Sequence, residues 1–142
     1  MDNAIAVKFS DFETSDLFTS YAYDIDDAMI TEALGLLKSY KIFRLLYSEI
    51  HKDWQAACDL EQSSIVPDYM KHALRIAMLV MLIKNGRDIV PVEIDTFSRS
   101  CSHLEGHHRL LALKYLGYDT FPAYLSGYVD ELEEQLNVCM GN

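Results

Sequence analysis

Residues 105–109 read Glu-Gly-His-His-Arg and run straight into the apolar stretch Leu110-Leu111-Ala112-Leu113. A glycine at the start of a helix places backbone N–H groups and the positive end of the helix dipole at one spot, which favours an anion. It also lets the backbone approach that anion closely. Arg109 adds a planar fork of donors matched to phosphate. His107 and His108 are adjacent, so on a helix they project about 100° apart and cannot both face one ligand. One meets the ligand while the other supports it or meets solvent. Glu105 is placed to orient a histidine, to hold a metal carried by phosphate, or to act as a base. These residue types point to a bound phosphate compound at Gly106, His107, His108 and Arg109. The plainer alternative is an ion pair of Arg109 with Glu105 or Glu93 beside a surface histidine pair. A dedicated metal site is not expected, because adjacent histidines lack the i, i+4 spacing that puts two ligands on one helix face. His103 lies nearby but brings no convincing third ligand.

The surrounding elements decide how such a junction is held. Ahead of it, "DIVPVEID" (88–95) is rich in β-branched residues and reads as a strand, with Pro91 favouring an edge or strand-start position. Residues 97–105 supply a turn and a short second strand. A helix over 107–117 ends at Gly117, residues 118–128 form a loop and a last strand, and the tail from 129 reads as a short acidic helix. Further upstream, "AIAVKF" (4–9) reads as an edge strand. Residues 24–61 keep helical spacing, with Ile30, Leu34 and Leu37 on one side and a break near Tyr40-Lys41. Asp26 and Asp27 suit the start of that helix through capping and the dipole. Residues 63–88 form a second helical unit, opened near Pro67 and closed by Gly86, with Lys84 and Arg87 at its C-terminal end. The order is helices first, then β-turn-β-α-β, an α+β or small α/β plan.

At 142 residues, half of them apolar, the chain is long enough for one domain with a sizeable core. The 22 acidic residues outnumber the 12 Lys and Arg and give a formal charge of −10. Residues 1–66 hold 12 acidic and 5 basic residues, against 10 and 7 in residues 67–142, so the front half is the acidic half. Non-specific DNA binding runs on Lys and Arg neutralising phosphates, so this balance argues against it. Cys58, Cys101 and Cys139 are an odd number without CxxC spacing, which gives neither a disulfide framework nor a zinc knuckle and fits a reducing cytoplasm. The N-terminus lacks a basic flank followed by a long apolar stretch, and the run 76–83 is too short to span a bilayer. A cytoplasmic protein without membrane attachment is expected.

The stretch from about Val66 to Gly127 resembles the ParB/sulfiredoxin superfamily, in particular its branch with a "DGHHR" signature. The residues that carry the resemblance are "VPDYMKHALRIAMLVMLIKNG", "DIVPVEID" and "LEGHHRLLALKYLGYDTFPAYL", in the family's order of helix, strand, motif, helix and final strand. It implies a compact α/β fold whose motif loop cradles nucleotide phosphates. Members include nucleotide-hydrolysing partition proteins, ATP-using sulfiredoxins, free-amino-acid kinases and ParB-like nucleases. Sulfiredoxins carry a reactive Cys where this chain has His107, so their cysteine chemistry does not carry over. Partition proteins carry Glu and Arg at the positions of His107 and His108, a departure that speaks against CTP use. The kinase-like branch has Asp at the position of Glu105 and an acidic residue near the start of the preceding helix, for which Asp68 is the nearest match. Phosphoryl transfer needs a positioned carboxylate, with charge stabilisation by Arg, His and Mg²⁺. Glu105, Asp68, His108 and Arg109 supply that set, with ATP or another nucleotide as ligand and Mg²⁺ carried by its phosphates.

Outside the motif, Met70, Met78 and Met81 are expected to fill core and Trp54 to anchor the N-terminal helices. Lys71 and Arg75 are helix neighbours that either flank the phosphate site or form a solvated face. Cys101 reads as a buried or half-buried thiol and not a nucleophile, since nothing nearby in the sequence lowers its pKa. The acidic, tyrosine-rich front (Tyr21, Tyr23, Asp24, Asp26, Asp27) is either a self-repelling solvated surface or a docking surface for a basic protein partner, including one that normally grips DNA.

The expectation is therefore an α+β (small α/β) ParB/sulfiredoxin-like core at 66–128, preceded by a mainly helical acidic segment at 1–65 and followed by an acidic tail helix at 129–142. The leading function is nucleotide or phosphate binding at Glu105–Arg109, with Mg²⁺-dependent phosphoryl transfer or NTP hydrolysis on top of it. The alternative is an acidic regulator or inhibitor of mobile-element type that keeps the fold without the chemistry, and a third is a ParB-like nuclease.

Overall fold

A computed structural model describes residues 4–15, 25–39, 70–86, 88–98 and 101–139. Its elements in chain order are β1 (Ile5–Lys8), α1 (Phe9–Glu13), α2 (Asp27–Ser39), α3 (Lys71–Lys84), β2 (Val92–Ser98), β3 (Cys101–Glu105), α4 (His107–Tyr115), β4 (Thr120–Gly127) and α5 (Val129–Leu136). This is small α+β. The chain divides into two compact units, one formed by Met1–Tyr23 with Val90–Asn142 and the other by Asp24–Ile89. β1 and α1 share a unit with residues 90–142, and α3 shares one with α2.

In the unit of Asp24–Ile89, α2 begins where the Asp26 carboxylate accepts the Met29 N–H at 2.9 Å, the side-chain cap expected of an aspartate there. Ala33 and Leu37 of α2 pack with Met70, Ala73, Leu74, Ala77, Met78 and Met81 into one buried cluster. The alanines allow the helices to approach closely, and the flexible methionines fill the remaining space, as their spacing predicts. At the end of α3, the Asn85 side-chain amide donates to the Met81 carbonyl at 2.7 Å, and Gly86 takes a left-handed φ of 83°. Pro67, Asp68, Trp54, Cys58 and the Tyr40-Lys41 break lie outside the described residues, as do Tyr21, Tyr23 and Asp24.

The other unit is built on a four-stranded sheet of order β1-β4-β2-β3. β1 runs antiparallel to β4, β4 parallel to β2, and β2 antiparallel to β3. Alternation separates the two sheet faces. Val7, Val92, Ile94, Leu104, Phe121, Ala123 and Leu125 are buried on one, while Ala6, Lys8, Glu93, Glu105, Tyr124 and Ser126 are exposed on the other. Phe9 and Phe12 of α1 pack on Phe121, with ring centroids 4.9 and 5.5 Å away. Leu110, Ala112 and Leu113 of α4 and Leu132 and Leu136 of α5 complete the buried set.

β1 sits at a sheet edge, as "AIAVKF" predicts. The expected strand at 88–95 is displaced: it starts at Val92 and continues to Ser98. Proline has no N–H for a ladder, so pairing begins only after Pro91. The short helix α1 follows directly from β1 and takes up Phe9, the last residue of the expected strand.

Candidate functional site

The Glu-Gly-His-His-Arg segment lies at the junction of β3 and α4. Glu105 ends β3, Gly106 is the N-cap with φ 112° and ψ 32°, and His107 opens a nine-residue helix. Leu110 N–H is bonded to the Gly106 carbonyl at 3.0 Å, so helical bonding starts there. By helix geometry the amides of His107, His108 and Arg109 point out of this end. Both histidines are half-buried in the first turn.

The left-handed conformation and the crowding both require glycine. A Cβ at residue 106 would fall 2.8 Å from Val92 Cγ1 and 2.9 Å from Arg109 Nη2. The Arg109 side chain is therefore folded back over Gly106. Its Nη1 donates to the carbonyls of Val90 at 2.9 Å and Pro91 at 2.8 Å, immediately ahead of β2. The plain alternative, an ion pair with Glu93 or Glu105, is not the arrangement found. Arg109 binds main-chain oxygen.

Glu105 is exposed and stands opposite Glu93 in the β2–β3 register. Glu93 in turn is level with Tyr124 on β4. One row further, Asp95 lies level with His103 on one side and Ser126 on the other, and the Ser126 hydroxyl donates to Asp95 Oδ1 at 3.1 Å. The open face of the sheet thus carries a row of neighbouring carboxylates beginning at the α4 junction. Among the described residues, no group of three or more His, Cys, Asp or Glu side chains is placed to hold a metal ion by itself. Asp68, the other carboxylate expected here, lies outside the described residues. Lys71 and Arg75 are on α3, in the other unit.

The structure adds Asp95 and Ser126 to the residues singled out from sequence and places Glu93, first considered as a partner of Arg109, opposite Glu105 instead. Glu93 and Asp95 had a signal, since alternation with Val92 and Ile94 puts both on the open face with Glu105. Their level with Tyr124 and Ser126 comes from a parallel pairing between distant strands.

A concavity of about 710 Å³ lies at the start of α5 and is lined by Gly127, Tyr128, Val129, Asp130, Glu131 and Glu134. Charge follows the same unit. Residues 1–23 and 90–142 carry 12 acidic against 4 basic residues, while residues 24–89 carry 10 against 8. The acidity that appears as a front-half property in the linear sequence belongs mainly to the sheet unit. Within that unit Lys114 pairs with Glu13, and Arg109 is bonded to carbonyls. At the acidic front itself, Asp26 and Asp27 are exposed, but Asp26 caps α2.

Among the described residues, no helix is long and apolar enough to cross a membrane. Comparisons of the chain with protein-family models, with curated proteins and with solved structures find no match.

Proposed function

We propose that the chain binds the phosphate of a nucleotide or a related compound at the mouth of α4, in a fold of ParB/sulfiredoxin type. The observation that carries this reading is the left-handed Gly106 between β3 and α4. It turns the chain so that a helix of nine residues begins directly behind an exposed carboxylate. The amides at the helix start and the dipole favour the anion, and the side chains of His107 and His108 stand in the same turn. Glu93 and Glu105 are the residues that would hold Mg²⁺, which neutralises phosphate oxygens when bound. The free oxygen of Glu105 orients the attacking hydroxyl or water, and His108 donates to the developing charge.

Calorimetric titration of ATP, CTP and ADP with Mg²⁺ tests the binding step. Wild type is expected to bind, His108→Ala to lose affinity while remaining folded, and Glu105→Gln to lose the Mg²⁺-dependent part of the affinity. Absence of binding by wild type would end this reading.

A second reading, an acidic regulator that docks a basic protein, is favoured by the concentration of charge in the sheet unit and by the acidic concavity beside Tyr128. It predicts that neutralising Asp130, Glu131 and Glu134 abolishes partner binding while His108→Ala leaves it intact.

A further inference from the structure

We infer that Arg109 is a positioning residue of the α4 mouth, its Nη1 committed to the chain ahead of β2 and not to the anion bound there. This role, which rests on the phosphate reading of the mouth and deepens it, follows from where the guanidinium is placed. Nη1 already has two acceptors, the carbonyls of Val90 and Pro91 at 2.9 and 2.8 Å. Those oxygens lie ahead of the first paired residue of β2, Val92. Arg109 gives them a charged donor, and such bonds are stronger than neutral ones. Nη2 and Cζ lie over Gly106, 2.9 and 3.0 Å from where its Cβ would be, while Val92 Cγ1 closes the other side at 2.8 Å. One side chain thus joins the chain leading into β2 to the turn leading into α4.

Swinging Arg109 outward to a phosphate would strip two carbonyls of their donor and uncover the glycine turn that shapes the mouth. The contacts to the anion then come from groups that leave Nη1 in place: the helix amides, His107, His108 and the remaining guanidinium N–H groups. Arg109 keeps Gly106 in its left-handed conformation whether or not an anion is present.

The test uses the full chain and begins in phosphate-free buffer. Amide exchange is measured on wild type, Arg109→Ala and Arg109→Lys without any nucleotide. A positioning role predicts that exchange at Val92, Ile94 and Leu110 accelerates about tenfold or more in both variants, with α2 and α3 unchanged, because a lost brace opens the structure locally. Methylguanidine added to Arg109→Ala is expected to restore protection in the absence of any anion. Should Arg109→Ala fail to fold, Arg109→Lys carries the comparison, since it keeps the charge but not the fork.

ADP with Mg²⁺ is then titrated at several salt concentrations. A positioning role predicts weaker ADP binding by Arg109→Lys with a salt dependence parallel to that of wild type. Unchanged ligand-free exchange, together with ADP affinity kept within a few-fold by Arg109→Lys, would overturn the inference and make Arg109 a direct phosphate contact. A wild type that binds no ADP removes the phosphate reading and the mouth's ligand with it. The exchange comparison still decides separately whether Arg109 braces the turn.

Discussion

Gly127 is packed against the backbone of Thr96 so closely that a Cβ on it would lie 2.1 Å from the Thr96 carbonyl oxygen. The same Cβ would lie 2.8 Å from Asp95 Oδ1. On either side of this contact, Ser126 Oγ donates to Asp95 and Tyr128 N–H donates to the Thr96 carbonyl at 2.9 Å. Three consecutive residues at the end of β4 thus fasten it to β2, and they set the level at which Asp95 and Ser126 meet on the open sheet face.

Gly127→Ala is accordingly expected to be more damaging than Gly117→Ala. Both positions are left-handed, with φ of 85° and 86°, but nothing lies within 4 Å of a Cβ at Gly117. Gly117→Ala therefore meets only the conformational cost, about 1–2 kcal/mol. Gly127→Ala adds a clash with a main-chain oxygen that no rotamer relieves. Urea unfolding of the two variants reads the difference directly, and equal midpoints would contradict the close approach.

Phe121 is the centre of the sheet unit's aromatic cluster, fully buried and in contact with Phe9 and Phe12. Phe121→Ala is expected to cost about 3–5 kcal/mol, the range for a large aromatic removed from a packed core. Phe121→Leu is expected to cost far less, because most of the volume remains. Chemical denaturation monitored by circular dichroism checks both.

Lys114 on α4 pairs with Glu13 at the end of α1, with relative side-chain exposures of 49% and 34%. Solvent and salt screen such a pair, so Lys114→Met is expected to change stability by no more than about 1 kcal/mol. A double-mutant cycle with Glu13→Gln measures the coupling, and a larger value would mean that the pair fixes α1 on α4.

Much of this arrangement is legible in the sequence because its causes are local. Asp26 marks the start of α2 through a cap three residues on, the methionines of α3 follow helical spacing, and Gly106 and Gly117 bracket α4 as punctuation predicts. The candidate site is only partly legible. Glycine beside two histidines and an arginine identifies the junction, but Arg109 finds its partners 18 and 19 residues upstream. Nothing in a pattern distinguishes a guanidinium aimed at a ligand from one folded onto a carbonyl. Charge shows the same limit: counted along the chain it accumulates in the front half, whereas contact assigns most of it to the unit that joins both chain ends.

The opposition of Glu93 and Glu105 gives the last prediction, which bears on function through stability. Like charges directly opposite on neighbouring strands are destabilising by about 0.2–1 kcal/mol. Glu93→Gln is therefore expected to stabilise the chain by that amount at low salt, with the gain shrinking as added salt screens the pair. A divalent cation shared by the two carboxylates would relieve the same repulsion in wild type. Mg²⁺ is thus expected to raise the melting temperature of wild type more than that of Glu93→Gln, a comparison that thermal scans with and without the metal supply. Equal Mg²⁺ responses would leave the pair as a plain repulsive contact and deny Glu93 a part in holding the metal. A gain that Mg²⁺ cancels would mean that the repulsion is kept for the cation it attracts, as at other sites where stability is given up for function.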